Sequence, residues 1–265
     1  MRLIILTGNQ LRHKYFANTL AEHFSVMAIL SERKIIDLGS KAGIIDPPLG
    51  TNEEEAKLWR WHFGLAHDEE ERMFRDNVHF AKGLNVIEVP KGKINDNSYV
   101  DTLRKLRPDG ISVFGTSILK GEMIAAGEGK IINMHLGLSP YYRGSATNFW
   151  PLYNEEPEFV GVTVHLIDPG IDTGAIIHQG RPHVEENDNQ HTIGNKTIVV
   201  GTELMKKSLE ELKNGTIKSF KQTENGKLYQ RKDFSPIHLK KIKQLLDGGM
   251  LGRYARSPKE VVLIP

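Results

Sequence analysis

Residues 1–10, Met-Arg-Leu-Ile-Ile-Leu-Thr-Gly-Asn-Gln, hold an unbroken apolar run at 3–6, closed by the turn Thr7-Gly8-Asn9. A strand with one wet face alternates apolar and polar residues. An unbroken run this short belongs to a strand buried on both faces, the usual state of a parallel sheet. Similar strand signals recur at 26–30, 85–89, 110–114 and 130–134. Between them lie segments with helical character: 13–23, where Phe16 and Leu20 share a face with Phe24, then 95–106 and 118–126. This alternation predicts an α/β fold, an open, mostly parallel, Rossmann-like sheet with flanking helices.

Two stretches interrupt the alternation. Residues 37–50 are rich in Gly and Pro and read as a loop. Residues 51–82 are charged and helical, with Trp59, Trp61 and Phe63 set among Glu53-Glu54-Glu55 and Glu69-Glu70-Glu71. We expect a helical excursion whose aromatics pack on the sheet, since aromatic stripes are usually core; the competing reading is a lid over a binding site. Further on, 160–167 and 175–184 alternate around the loop 168–174 and predict an antiparallel pair. A long helix is expected over 190–212. After residue 220 the chain turns polar, with a strand at 228–229 and a helix from Ser235-Pro236 to 246, Ser capping and Pro in the first position. The expected organisation is one catalytic domain over 1–220, including the 51–82 excursion, and a short C-terminal extension over 221–265.

Composition narrows the chemistry. A length of 265 residues suits one large α/β domain with a small addition. The net charge of +2 gives no general attraction to nucleic acid or to an anionic membrane, so neither is expected as a partner, though a local tRNA-binding patch stays open. With no cysteine, disulfides, thiolate catalysis and Cys-based metal sites are excluded. The first apolar run is too short for a signal peptide or a membrane span, so a cytoplasmic location is expected. The chain lacks G-x-G-x-x-G, G-x-x-x-x-G-K-[ST] and G-x-S-x-G. None of its 11 histidines sits in an H-E-x-x-H spacing, and no metal is expected.

Asn133-Met134-His135 places an amide donor and an imidazole at the end of an apolar strand. The run 161–174, GVTVHLIDPGIDTG, then brings a carboxylate, Asp172, in a glycine-flanked loop. Donors of this kind stabilise an oxyanion on a carbonyl, and an acid beside an imidazole moves a proton. With no serine or cysteine nominated as nucleophile, attack falls to the substrate itself. Singly, each residue has a structural alternative: Asn133 a strand cap, His135 a loop histidine, Asp172 a turn residue. Joined by the motif between them, they are more specific.

Asn133-x-His135, the segment Leu138-Ser139-Pro140-Tyr141-Tyr142-Arg143-Gly144 and GVTVHLIDPGIDTG together resemble the N10-formyltetrahydrofolate-dependent formyltransferase family. It includes glycinamide ribonucleotide transformylase, methionyl-tRNA formyltransferase and the sugar N-formyltransferases. The resemblance is clear over about 109–180 and weak outside. It implies that Asn133, His135 and Asp172 are catalytic and that N10-formyltetrahydrofolate is the formyl donor. An amine acceptor would attack directly, through an oxyanionic tetrahedral intermediate. It places the folate against Thr116, Ser117, Ile118 and Leu119 and against Ile167, Asp168, Pro169, Gly170 and Ile171. It places the acceptor near Tyr142, Arg143, Gly144 and Asn148, and near the first turn at Asn9 and Arg12. That turn departs from the glycine-rich phosphate-holding turn of glycinamide ribonucleotide transformylase.

The stretch after residue 220 is too short for the C-terminal barrel of methionyl-tRNA formyltransferases. No N-terminal module like that of the formyltetrahydrofolate deformylases is expected ahead of a strand that starts at residue 2. The favoured acceptor is therefore the primary amine of a small molecule, first a nucleotide-linked amino sugar. Trp59, Trp61, Tyr141, Tyr142 and Tyr229 are candidates to stack a base. The 51–82 excursion and the tail would shape the acceptor pocket or a homodimer contact. Glycinamide ribonucleotide, another small amine, formyltetrahydrofolate hydrolysis and non-catalytic folate binding are the alternatives.

Overall fold

A computed structural model describes residues 1–34, 46–223 and 226–264. Most of the expected 37–50 loop thus lies outside the described residues. The chain runs β1 (Arg2–Gly8), α1 (Leu11–Ala21), β2 (Ser25–Glu32), α2 (Glu53–Phe74), β3 (Val86–Val89), α3 (Asn97–Leu106), β4 (Gly110–Phe114), α4 (Gly121–Ala126) and β5 (Ile131–His135). It continues with β6 (Tyr142–Gly144), α5 (Trp150–Tyr153), β7 (Val162–Leu166), β8 (Ile176–Gly180), α6 (Gln190–Asn214), β9 (Lys227–Tyr229), α7 (Ile237–Asp247) and α8 (Met250–Arg256).

Seven strands form one sheet in the order β3-β2-β1-β4-β5-β7-β8. β3 to β5 are parallel, whereas β7 runs antiparallel to β5 and β8 antiparallel to β7. The mostly parallel α/β architecture and the antiparallel pair are as the sequence predicts. The unbroken run in β1 has the expected cause. Leu3 and Ile5 face one core with Phe16, Leu20, Met134 and Met205, and Ile4 and Leu6 face the other with Leu30, Val100, Leu103 and Ile131. Alternate side chains of one strand fill both faces. The strand order reverses between β1 and β4, and at such a switch point the carboxyl ends of neighbouring strands leave a crevice suited to ligands.

A third apolar cluster lies apart from the two sheet faces. It joins Trp59 of α2 with Tyr142, Phe149 and Trp150, and with Leu239 and Ile242 of α7. Trp59 and Phe63 therefore pack on this third cluster, whereas Phe74, at the end of α2, joins the core on the main sheet as expected. Trp59 sits 4.7 Å from Phe63 and 5.8 Å from Phe234, ring to ring. Two elements escaped the sequence reading: β6, which pairs in parallel with β9 in a separate two-stranded sheet, and α8. The helix expected over 118–126 starts later, at Gly121, because the residue before it, Lys120, is extended at φ −142° and ψ 158°. Among the described residues no helix is long and apolar enough to cross a membrane.

Helix α6 is fixed at both ends. The Asn189 side-chain oxygen accepts from the N–H groups of His191 (2.8 Å) and Thr192 (3.0 Å), and the Thr192 hydroxyl accepts from Asn189 N–H at 2.8 Å. Gly215 closes it with φ +69°. Such reciprocal caps satisfy backbone groups that a helix terminus leaves open.

Candidate active site

Strand pairing carries the first step of site assembly. In the β5–β7 register, Asn133 stands opposite His165 and His135 opposite Thr163. β7 then leads through 167–171 to Asp172, which takes the left-handed conformation at φ +52°. This turn is tied down from several sides. The Gln222 amide donates to the carbonyls of Asp172 (2.9 Å) and Gly174 (2.8 Å), and Gly144 N–H donates to Asp172 Oδ2 at 2.9 Å. Left-handed Asp is tolerated, and strained conformations persist where surrounding structure over-determines them.

The turn returns the carboxylate to the end of β5. Asp172 Oδ2 lies 3.2 Å from His135 Nδ1, and Oδ1 lies 3.6 Å from His165 Nε2. On its far side His135 Nε2 meets the Tyr142 carbonyl at 2.9 Å. Both ring nitrogens thus face acceptors, an arrangement satisfied by the imidazolium with a proton on each. Burial opposes the charge on Asp172, but the His135 charge and the Gly144 N–H outweigh it. Its carboxyl stays well below the ordinary carboxylate range.

The sequence reading missed His165. Its Nδ1–H donates to the Leu166 carbonyl at 2.8 Å, which leaves Nε2 to accept from the Asn133 amide at 3.0 Å. That bond fixes which end of the Asn133 side chain carries the N–H groups and leaves one N–H to spare. The signal was present: His165 lies within GVTVHLIDPGIDTG, at the position that antiparallel pairing sets opposite Asn133. Asn133, His135, His165 and Asp172 all line one cavity of about 840 Å³, at the upper end of the range for ligand pockets, ~300–1,000 Å³.

The expected folate residues, except Pro169, flank the same cavity. Thr116, Ser117, Ile118 and Leu119 line it from the loop after β4, and Ile167, Asp168, Gly170 and Ile171 from the loop after β7. Ile118 and Ile171 keep 53% and 37% of their surface exposed there, leaving apolar area for a planar ligand. The first loop is braced from below. Buried Glu32, at the end of β2, accepts from Ser117 N–H (2.5 Å), the Ser117 hydroxyl (2.7 Å) and Gly92 N–H (2.6 Å). The hydroxyl and amide of Ser117 are therefore turned inward. Asn95 adds a second brace, donating to the Ile118 carbonyl at 2.9 Å and accepting from Lys120 N–H at 2.8 Å. Asp168 accepts from Gly170 N–H (3.0 Å) and the Thr173 hydroxyl (2.7 Å), shaping its loop.

The expected acceptor residues divide. Arg12, Gly144 and Asn148 line the cavity. Asn9, Tyr142 and Arg143 are not among the lining residues. The Asn9 carboxamide oxygen accepts from Lys34 N–H at 3.0 Å. The Tyr142 hydroxyl bonds Glu156 and Asn154, its ring stacks on Tyr229 at 5.8 Å, and only its carbonyl reaches the site. Arg143 is buried and reaches the Gly226 carbonyl. The Tyr142 and Arg143 side chains are instead held by Glu156, Asn154 and the Gly226 carbonyl, in a strand paired with β9.

Gly144 shows how tight that wall is. Its φ is +94°, and a Cβ there would overlap the Tyr229 carbonyl oxygen. Gly144→Ala is expected to destabilise the fold by about 2 kcal/mol or more, combining backbone strain with overlap. The shift in urea midpoint at constant slope measures it.

Set beside known proteins, residues 68–209 match the formyl transferase family. The chain belongs to that family. The methionyl-tRNA formyltransferase of Thermodesulfovibrio yellowstonii is 36% identical to this formyl transferase chain over 132 residues, 49% of this chain and 42% of that protein. The chain thus spans less than half the length of this curated relative. Among solved structures, an N-formyltransferase from Helicobacter canadensis in complex with folinic acid and dTDP-3-aminofucose superposes with TM-score 0.56 at 22% identity, over 89% of this chain and 73% of that one. Phosphoribosylglycinamide formyltransferase from Anaplasma phagocytophilum superposes with TM-score 0.56 at 17% identity, over 87% and 98%. At these identities the superpositions speak for the fold, and they agree with the mostly parallel sheet.

Proposed function

We propose that this formyl transferase moves a formyl group from N10-formyltetrahydrofolate to the primary amine of a small molecule, first among candidates a nucleotide-linked amino sugar. The observation that carries the reading is the convergence of Asn133, His135 and Asp172 on one end of the cavity, with Asp172 Oδ2 3.2 Å from His135 Nδ1. The donor's formyl carbonyl is the electrophile. The cavity suits such a donor: apolar Ile118 and Ile171 are open to it, and the Asn133 amide keeps one N–H unspent.

The division of labour follows from the hydrogen bonds. The free N–H of Asn133 meets negative charge as it develops on the formyl oxygen, where a preorganised donor is worth several kcal/mol. Because His165 Nε2 holds the other N–H, Asn133 needs little reorganisation. His135, as an imidazolium, adds positive charge beside the oxyanion. Its Nε2–H faces the Tyr142 carbonyl in the free protein and would have to exchange that partner for the substrate oxygen; catalytic hydrogen bonds often tighten only in the loaded enzyme. Asp172 holds the imidazolium and can take the proton shed by the attacking amine, directly or through a water. Holding amine and formyl group together supplies further acceleration, about 7–11 kcal/mol at best.

Asn133→Ala is expected to lower kcat by about 10²–10³-fold with little change in either KM, since its bond strengthens as the oxyanion forms. An effect confined to KM would contradict this role. The reading as a whole is tested by offering 10-formyltetrahydrofolate with dTDP-3-aminofucose, glycinamide ribonucleotide and methionyl-tRNA in turn. Tetrahydrofolate release and the mass of the formylated amine are followed. Transfer to an amine supports it; formate release without any amine requirement would make the protein a hydrolase. Methionyl-tRNA is included because the curated relative carries that name.

A further inference from the structure

The wall of the cavity opposite the folate loops is built by α2 and the first turns of α6. His62, Phe63 and Ala66 line it from α2, and Gln190, His191, Gly194 and Asn195 from α6. Two observations there have no structural explanation. Several buried polar atoms of lining residues lack a hydrogen-bond partner among the described residues: Gln190 Oε1, His191 Nε2, Asn195 Nδ2 and, on the adjoining wall, Asn148 Nδ2. Gln190 and Asn195 are only 6% and 7% exposed. Native proteins pair nearly all such atoms, so a cluster on one wall calls for a partner from outside the fold.

Gly194 is the second observation. A Cβ added to it would meet nothing within 4 Å. Gly201 in the same helix differs, because a Cβ there would press on Met134 and Val162. Glycine inside a helix is unfavourable relative to alanine, and where no neighbour demands it, what it provides is room. Gly194 lines the cavity together with Gln190, His191 and Asn195, so that room lies on the same wall as their unpartnered atoms.

The character of the wall narrows what fits. The His191 ring hydrogen-bonds the His62 backbone. With Nε2 unpartnered, this bond runs from Nδ1–H to the carbonyl, so Nε2 is left as an acceptor. His62 and His191 lie 4.5 Å apart, ring to ring. Burial pushes His62 down to about 4 and, with the neighbouring charges, holds His191 well below its usual value, so both stay neutral near pH 7. The Arg12 guanidinium on this wall is already paired with buried Glu70. Two acceptors, Gln190 Oε1 and His191 Nε2, stand with two amide donors, Asn148 and Asn195, and no uncompensated charge lies among them.

We propose that Gln190, His191, Asn195 and Asn148, with the space at Gly194, form the acceptor-selecting subsite. It takes an amine whose neighbouring substituents are neutral hydroxyl or amide groups. Such groups donate and accept at once, and rotation of the Gln and Asn side chains into the cavity lets them complete the wall. Among the described residues this wall offers a phosphate no free cation, the cavity's other arginine, Arg231, coming from the tail, and an apolar side chain would leave every one of these atoms unpaired, a penalty by which polar sites reject apolar analogues. The inference rests on the formyl-transfer reading above.

The test uses the full chain and Gly194→Ala, Gln190→Met and Asn195→Leu. Without ligand, each is expected to raise the melting temperature, Gly194→Ala by a few degrees, because a helical glycine or an unpaired polar atom is removed. With 10-formyltetrahydrofolate, each is expected to raise the KM for dTDP-3-aminofucose at least tenfold, leaving the folinic acid Kd within twofold. Melting temperatures that fall, or an amine KM that does not move, would overturn the subsite. So would a wild-type protein that transfers to methionyl-tRNA in preference to dTDP-3-aminofucose, or to neither. Failure of wild type to bind folinic acid would instead strike the donor reading, and the melting temperatures would still judge the wall.

Discussion

Asp172→Asn is expected to lower kcat by about 10²–10⁴-fold, the usual contribution of a positioned acid–base group. The substitution keeps the size and the backbone bonds from Gln222 to the turn. In the proposed mechanism it removes the negative charge beside His135 and the base that would receive the amine proton. Both KM values should change by only a few-fold, because the carboxylate acts on the transition state more than on either ground state. Steady-state kinetics with each substrate varied in turn separates the two cases. Near-normal turnover would remove Asp172 from the chemistry.

Acid unfolding gives an independent readout of the same side chain. The folded-state pKa of Asp172 lies below the unfolded value. Its contribution to stability is therefore complete above the ordinary carboxylate range and is lost as pH falls toward the lowered value. The amide introduced by Asp172→Asn cannot titrate, so the variant should be less stable than wild type at neutral pH, and the gap should close in acid. A gap independent of pH would mean that the ion pair is not what holds the turn.

His135→Ala should cost at least about 10²-fold in kcat. In the proposed mechanism it removes a donor to the formyl oxygen, and it takes the His135 partner from the carboxylate of Asp172, which is only 15% exposed. An unpaired buried carboxylate shifts toward its neutral form, so the variant should also lose the base. Damage from either single substitution should therefore nearly equal that from both, since groups acting as a unit are not additive. The double variant tests this directly. Fully multiplicative losses would show that the two side chains work separately.

The architecture was legible because its strands are short, apolar and buried on both faces, and because glycine and capping residues mark the ends of the elements between them. The convergence of Asn133, His135 and Asp172 was legible through their motifs. Two things hid the rest. Pairing across β5 and β7 makes His165 a partner of Asn133, and a single strand read alone does not show its register. Tyr142 and Arg143 sit in the right motif but in a strand, β6, whose partner lies in the tail. Their side chains are held by Glu156, Asn154 and the Gly226 carbonyl instead of lining the cavity. The wall of α2 and α6 was hidden for the same reason. His62 and Gln190 look like ordinary helix residues until the fold sets them 3.5 Å apart.

The two-stranded sheet of β6 and β9 has an implication for how members of such a family diverge. Through β9 the tail grips the segment whose Gly144 amide reaches Asp172, and Gln222 grips the opposite side of the same turn. A C-terminal segment borrowed from a relative would thus retune reaction speed along with substrate choice. Chimaeras made by swapping tails should lose turnover even on their original amine unless the borrowed piece restores both grips.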